Sequence, residues 1–263
     1  MKNKNKSHWA VMVLASLLAA SCSSVDDDER LIYVKPADVA RKVLIEDFTG
    51  QRCVNCPNAT DEIARLQEAY GEDNVIAVGI HSGPLGYYTR GNVLGLSTQT
   101  GEEYYNYWKV EYQPAGVINR KGGVQNYTAW QGTVQTDIQQ TARLAMALDA
   151  TVEDGQIRIT VKTQGINGIV TGKLQLWVVE DGITALQMMP DGSANANYVH
   201  SHVFRAAVNG TWGTDITLRE GEEQEHSFSI ALSDEWKTEN LSIVAFVYND
   251  SGVEQVERTV VGG

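Results

Sequence analysis

The chain has 263 residues, 43% hydrophobic and 21% charged, which is enough to bury a sizeable core. Its formal net charge of −12 argues against nucleic acid or an anionic membrane surface as a partner. Three cysteines do not pair evenly, so one needs a separate explanation.

The N-terminus supplies it. Lys2, Lys4 and Lys6 precede a short apolar run from Val11 to Ala20, so residues 1–21 read as a secretory signal peptide. Cys22 directly after Ala19, Ala20 and Ser21 resembles the bacterial lipobox, which implies cleavage before Cys22 and acyl chains upon it. Cleavage removes three lysines and no acid, taking the charge from −12 to −15. Residues 22–40 then read as an acidic tether containing Asp26, Asp27, Asp28 and Glu29. Acids this close to a lipidated cysteine resemble the surface-display signal of Bacteroidetes lipoproteins.

From Arg41 the pattern alternates between strand and helix. Val43–Phe48 is an apolar strand, Asn58–Tyr70 carries Ile63, Leu66 and Tyr70 at helical spacing, and Asn74–Ile80 is a second strand. Gly71 marks the end of the helix, and the three elements predict a β-α-β unit with parallel strands. Residues 81–112 are rich in tyrosine. Thr98–Val110 reads as a helix whose rings cover the core, with a peptide- or glycan-binding surface as the alternative. After "YQPAGVINRKGG" a helix is expected over Trp130–Leu148. Beyond residue 149 the texture becomes β. "DATVEDGQIRITVKTQ" predicts strand, Asp-Gly turn and strand, and further strands are expected at 174–179, 199–208, 225–232, 241–248 and 254–261. The predicted organisation is therefore an α/β domain over 41–148 and an all-β Ig-like sandwich over 149–263.

Cys53-Val54-Asn55-Cys56-Pro57 is the most informative stretch. Such a pair can staple the chain, hold half of a zinc site, or exchange disulfides. No second cysteine pair or zinc-spaced histidine pair accompanies it, so no metal is expected there. His200 and His202 fall on one face of a predicted strand, where they would bridge a metal or simply face solvent. A structural disulfide suits an exported chain, but a bridge between residues so close restrains little of the unfolded state. The placement favours exchange: a strand hands over to a helix whose N-terminal amides favour a Cys53 thiolate, and Cys56 lies one turn on. That geometry requires an exposed Cys53 sulfur with Pro114 alongside.

"VLIEDFTGQRCVNCP" resembles the active-site strand and turn of the thioredoxin family. The resemblance implies a thioredoxin-like fold for 41–148, Cys53 as nucleophile and Cys56 as resolving thiol. It also implies Asp47 as a buried proton carrier and a cis Gln113–Pro114 bond shaping a peptide groove. Val54-Asn55 and Arg52 depart from that family's residues, which leaves the redox direction open. Glu46 is the neighbouring acid, and one of the two is free to face solvent. Over most of the mature chain, the lipoprotein signal, "DFTG…CVNCP" and a β-rich second half resemble the 28-kilodalton outer-membrane lipoprotein family of Bacteroidetes.

Two functions are expected from these residues. One is thiol–disulfide exchange with protein or peptide substrates by an outer-membrane lipoprotein, with no cofactor. The other is a cell-surface binding module or adhesin whose cysteine pair is redox-inert.

Overall fold

The computed structural model describes residues 39–262, and among these strands outnumber α-helices sixteen to three. In chain order they are β1 (Val39–Ala40), β2 (Val43–Thr49), α1 (Cys56–Tyr70), β3 (Val75–His81), α2 (Gln99–Tyr107), β4 (Ala115–Ile118), β5 (Lys121–Asn126) and α3 (Trp130–Asp137). There follow β6 (Thr141–Ala142), β7 (Leu144–Glu153), β8 (Gln156–Gly165), β9 (Val170–Glu180), β10 (Ile183–Met188), β11 (Ala194–His200) and β12 (Val203–Ala207). The last four are β13 (Thr214–Leu218), β14 (Glu223–Ala231), β15 (Leu241–Asn249) and β16 (Gly252–Val260). Cys22, the signal segment and most of the acidic tether lie outside the described residues. Among the described residues no helix is long and apolar enough to cross a membrane.

The expected β-α-β unit forms. Pro57 sits in the first turn of α1, where its missing N–H costs nothing, and Ala59, Ile63 and Leu66 are buried along one stripe. Gly71, at a positive φ of 92°, ends the helix and donates its N–H to the Gln67 carbonyl at 2.8 Å. Strands β2 and β3 then pair in parallel from Val43↔Val75 to Thr49↔His81.

An α/β thioredoxin-like domain followed by a separate Ig-like sandwich is not what forms. One nine-stranded sheet runs in the order β16-β15-β9-β12-β3-β2-β4-β5, with β13 also on β9. Strands from both sides of residue 149 therefore share a single ladder. The joint is β12, antiparallel to β9 and parallel to β3 through Val203↔Gly79, where Gly79 N–H donates to the His202 carbonyl at 2.7 Å. The three-stranded sheet β14-β8-β7 packs on this same sheet, so its layer is not self-contained.

The packing follows strand alternation. On one face Trp177 and Val179 of β9 and Val244 and Phe246 of β15 join Leu44, Phe48, Ile76, Val78 and Tyr104. On the other, Leu174, Leu176, Ile243 and Ala245 pack on β8, while Val43, Ile45, Val75 and Ala77 pack on α1 and α3. The helix expected over 130–148 stops at Asp137, because Leu144–Glu153 pairs along its whole length with β8. Asp154 and Gly155 close that hairpin at φ 50° and 72°, the left-handed pair a tight two-residue turn requires.

Candidate functional site

Strand β2 sends successive side chains to opposite faces. Leu44, Glu46 and Phe48 point into the aromatic layer, and Val43, Ile45 and Asp47 point toward α1. Neither acid faces solvent: Glu46 is 0% exposed and Asp47 2%. After Thr49 a short turn leads into α1. Cys53 N–H donates to the Gly50 carbonyl at 3.0 Å and Cys56 N–H to the Cys53 carbonyl at 3.3 Å. This brings the two Cα atoms to 5.3 Å, and the sulfurs form a disulfide.

The expectation of an exposed Cys53 is overturned, since Cys53 is 2% and Cys56 1% exposed. Two segments enclose the turn. Leu85 accepts from Arg52 N–H at 3.0 Å, an approach open only because Gly50 has no side chain: a Cβ there would lie 2.3 Å from the Leu85 oxygen. The β10–β11 hairpin is the second cover. Gln187 Nε2 donates to the carbonyls of Cys53 (2.9 Å) and Gly50 (3.3 Å), and Met188 N–H donates to that of Gln51 (2.8 Å). Gln51 Nε2 donates back to Leu186 at 3.1 Å. Sequence reasoning missed this cap. Ile183, Ala185 and Gln187 do alternate inward, but a glutamine in the third place hides the strand signal.

Behind the disulfide lies a chamber of about 20 Å³ whose lining includes Asp47, Cys56, Thr60, His81, Tyr198 and His200. It is large enough for one water molecule. Asp47 Oδ1, His81 Nδ1 and His200 Nε2 are buried without a hydrogen-bond partner. Burial pushes the Asp47 carboxyl up to about 8. Burial, helped by the neighbouring His200 and Arg205, holds His81 well below its ordinary range. His200 is lowered to about 4, again chiefly by burial. At neutral pH the chamber therefore holds a protonated carboxyl and two uncharged imidazoles.

The His81 and His200 rings meet edge to face at 5.2 Å, a pairing the sequence did not signal. The expected His200–His202 pair does not form. His202 sits in the left-handed region at φ 53°, beyond the end of β11, and turns its Nδ1 to Asp181 at 3.4 Å. Among the described residues no group of three or more His, Cys, Asp or Glu is placed to hold a metal. The Gln113–Pro114 bond is cis, and Pro114 is buried at the same end of the sheet. Ala115 pairs with Phe48, and Gln113 Nε2 donates to the carbonyls of Thr49 (2.7 Å) and Ser82 (3.0 Å).

The family model of outer membrane protein Omp28 matches residues 101–263. The chain belongs to this family. That membership places the protein at the outer membrane. The matched span contains the β10–β11 cap but not Cys53, Cys56 or Asp47. A search of curated proteins finds no match. Among solved structures the chain is similar to HBP35 of Porphyromonas gingivalis, at 15% identity over 86% of this chain and 77% of that one, with a TM-score of 0.68. The likeness is one of fold, and it spans both sides of residue 149. A domain of the outer membrane lipoprotein Omp28 from Porphyromonas gingivalis is 25% identical over 46% of this chain and 89% of its own, with a TM-score of 0.35.

Proposed function

We propose that this outer-membrane protein carries a capped thiol–disulfide couple that exchanges with thiols or disulfides of protein or peptide substrates. A lipid on Cys22 would hold it at the membrane. The observation that carries this reading is Asp47: a fully buried carboxyl, without a partner for Oδ1, in the same small chamber as Cys56. Burying an acid this way costs stability, and a disulfide kept only as a staple gives no reason for it.

When the disulfide oxidises a substrate dithiol, one substrate thiolate attacks Cys53 Sγ and the Cys53–Cys56 bond breaks. Cys56 leaves as a thiolate and takes the proton that Asp47 holds. A second substrate thiolate then attacks the mixed disulfide, so the substrate departs oxidised and Cys53 is freed. Reduction of a substrate disulfide by a reduced Cys53–Cys56 pair, which is itself oxidised, runs the same steps backwards with Asp47 accepting the Cys56 proton. In either direction the β10–β11 hairpin has to leave the Cys53 turn, since its hydrogen bonds occupy the carbonyls of Gly50, Gln51 and Cys53. Pro114 borders the same end of the sheet and would shape the groove so opened.

The burial of both cysteines favours a second reading, a cell-surface binding module with an inert disulfide. Equilibrating the full chain in glutathione redox buffers, trapping thiols by alkylation and weighing the products separates the two. Exchange predicts that the folded chain reduces reversibly, faster in Gln187→Ala, and that, once the rate is divided by the fraction of glutathione present as thiolate, a remaining dependence on pH near 8 disappears in Asp47→Asn. A disulfide that opens only when the protein unfolds would establish the binding module instead.

A further inference from the structure

On the face of the sheet away from α1, a cleft of about 780 Å³ opens between the end of α2, the loop after β12 and the ends of β9 and β15. That volume falls in the range of small-molecule sites, roughly 300–1,000 Å³. Its walls are aromatic: Tyr107, Trp108, Trp212 and Tyr248. The Tyr107 ring, 60% exposed, lies 4.4 Å from that of Trp212 and 5.2 Å from that of Trp108. Tyr248 donates its hydroxyl to the Trp212 carbonyl at 2.8 Å, and the buried Arg120 guanidinium lies 4.2 Å from the Tyr248 ring centre. The Trp212–Tyr248 wall is thus held in place before any ligand arrives, and Tyr107 leans on it.

The charges in the cleft narrow the choice of ligand. Arg120 is matched by Glu46 and Lys173 by Asp215 at 2.6 Å, so there is no excess positive charge to select an anion. The rings of Tyr248 and Trp212 already lie within about 6 Å of the Arg120 cation, which weakens their draw on a second one. What the rim presents is a mixture: acceptor carboxylates of Asp215 and Asp250, the Lys173 ammonium as donor, and the Thr171 hydroxyl. Sugar hydroxyls both donate and accept, and a pyranose offers apolar C–H faces to aromatic rings. We infer that this cleft binds a neutral oligosaccharide, stacked on Tyr107 and Trp212 and hydrogen-bonded along the rim by Asp215, Asp250 and Lys173. This inference does not rest on the disulfide chemistry.

The test titrates the full chain, in a detergent without a sugar headgroup, with maltotriose, cellotriose and chitotriose while following tryptophan emission and saturation-transfer NMR. At least one of the three is expected to bind saturably. Tyr107→Ala should weaken that binding about fivefold, as loss of one aromatic stacking partner does. Asp250→Ala, an exposed turn substitution with little risk to folding, should weaken it in the same direction. The inference is overturned if none of the three saturates the signal, or if binding ignores both substitutions.

Discussion

Glu46 and Asp47 are adjacent in one strand and both are buried, yet they sit in opposite electrostatic worlds. On the aromatic side Glu46 meets Arg120, whose Nε and Nη2 reach its carboxylate at 3.1–3.3 Å. The Arg120 cation is in turn surrounded by the rings of Tyr104, Trp177, Trp212, Phe246 and Tyr248. Burial pushes the Glu46 carboxyl up, and Arg120 pulls against it. On the helix side Asp47 has no cation, and burial alone acts on it. The contrast shows two ways to keep an acid inside a sheet: pair it with a cation that rings help to stabilise, or hold it neutral.

Removing the cation should produce the largest effect. Arg120→Met leaves Glu46 buried without a partner and is expected to destabilise the fold by about 3–5 kcal/mol. Adding Glu46→Gln should recover most of that loss, because the uncompensated charge is gone. Urea denaturation of the single and double variants measures both numbers. A single variant that loses less than about 1 kcal/mol would mean that Glu46 is already protonated and the pairing is nominal.

The opposite sign is expected on the other face. A free aspartate titrates near 3.8 and Asp47 at about 8. Between those values the folded state keeps a proton that the unfolded chain releases, so stability falls as pH rises across that window and levels off above it. Asp47→Asn removes this dependence. At pH 8 it should raise stability, each pH unit inside the window counting for up to about 1.4 kcal/mol, and below pH 4 it should change little. Parallel melting curves from acid to mildly basic pH decide the matter, and an unchanged slope in the variant would show that Asp47 is ionised in the folded protein.

How much of this was legible depended on range along the chain. The β2–α1–β3 unit was readable because its signals are local: helical spacing at Ile63, Leu66 and Tyr70, and Gly71 to stop it. The placement of Cys53 and Cys56 at the strand–helix junction followed from the same pattern. Arg120 was not readable as an internal cation, since it lies in an Asn-Arg-Lys-Gly-Gly turn and only the pairing of β4 with β2 swings it over Glu46. The continuous sheet was equally hidden. It hangs on β12 choosing β3 as a neighbour, a contact between residues 79 and 203 that no periodicity announces. The cap over Cys53 failed to appear for a related reason: its grip consists of glutamine side chains on backbone carbonyls, and Gln51 and Gln187 look in sequence like any other polar residues.

The smallest effect bears most directly on which function holds. The disulfide joins residues only three apart, so closing it removes few conformations from the unfolded chain. Cys53→Ser/Cys56→Ser is therefore expected to cost no more than roughly 2 kcal/mol, to be read from the same urea titrations. With Asp47→Asn added, the two changes should not simply sum, because the acid and the cysteine share one chamber and the serine hydroxyl at position 56 would give Asp47 a neutral partner. A loss near 4 kcal/mol, additive with Asp47→Asn, would make the bridge a staple that secures the turn beneath the cap. Such a result would leave the buried acid without a chemical task and hand the function to the aromatic cleft.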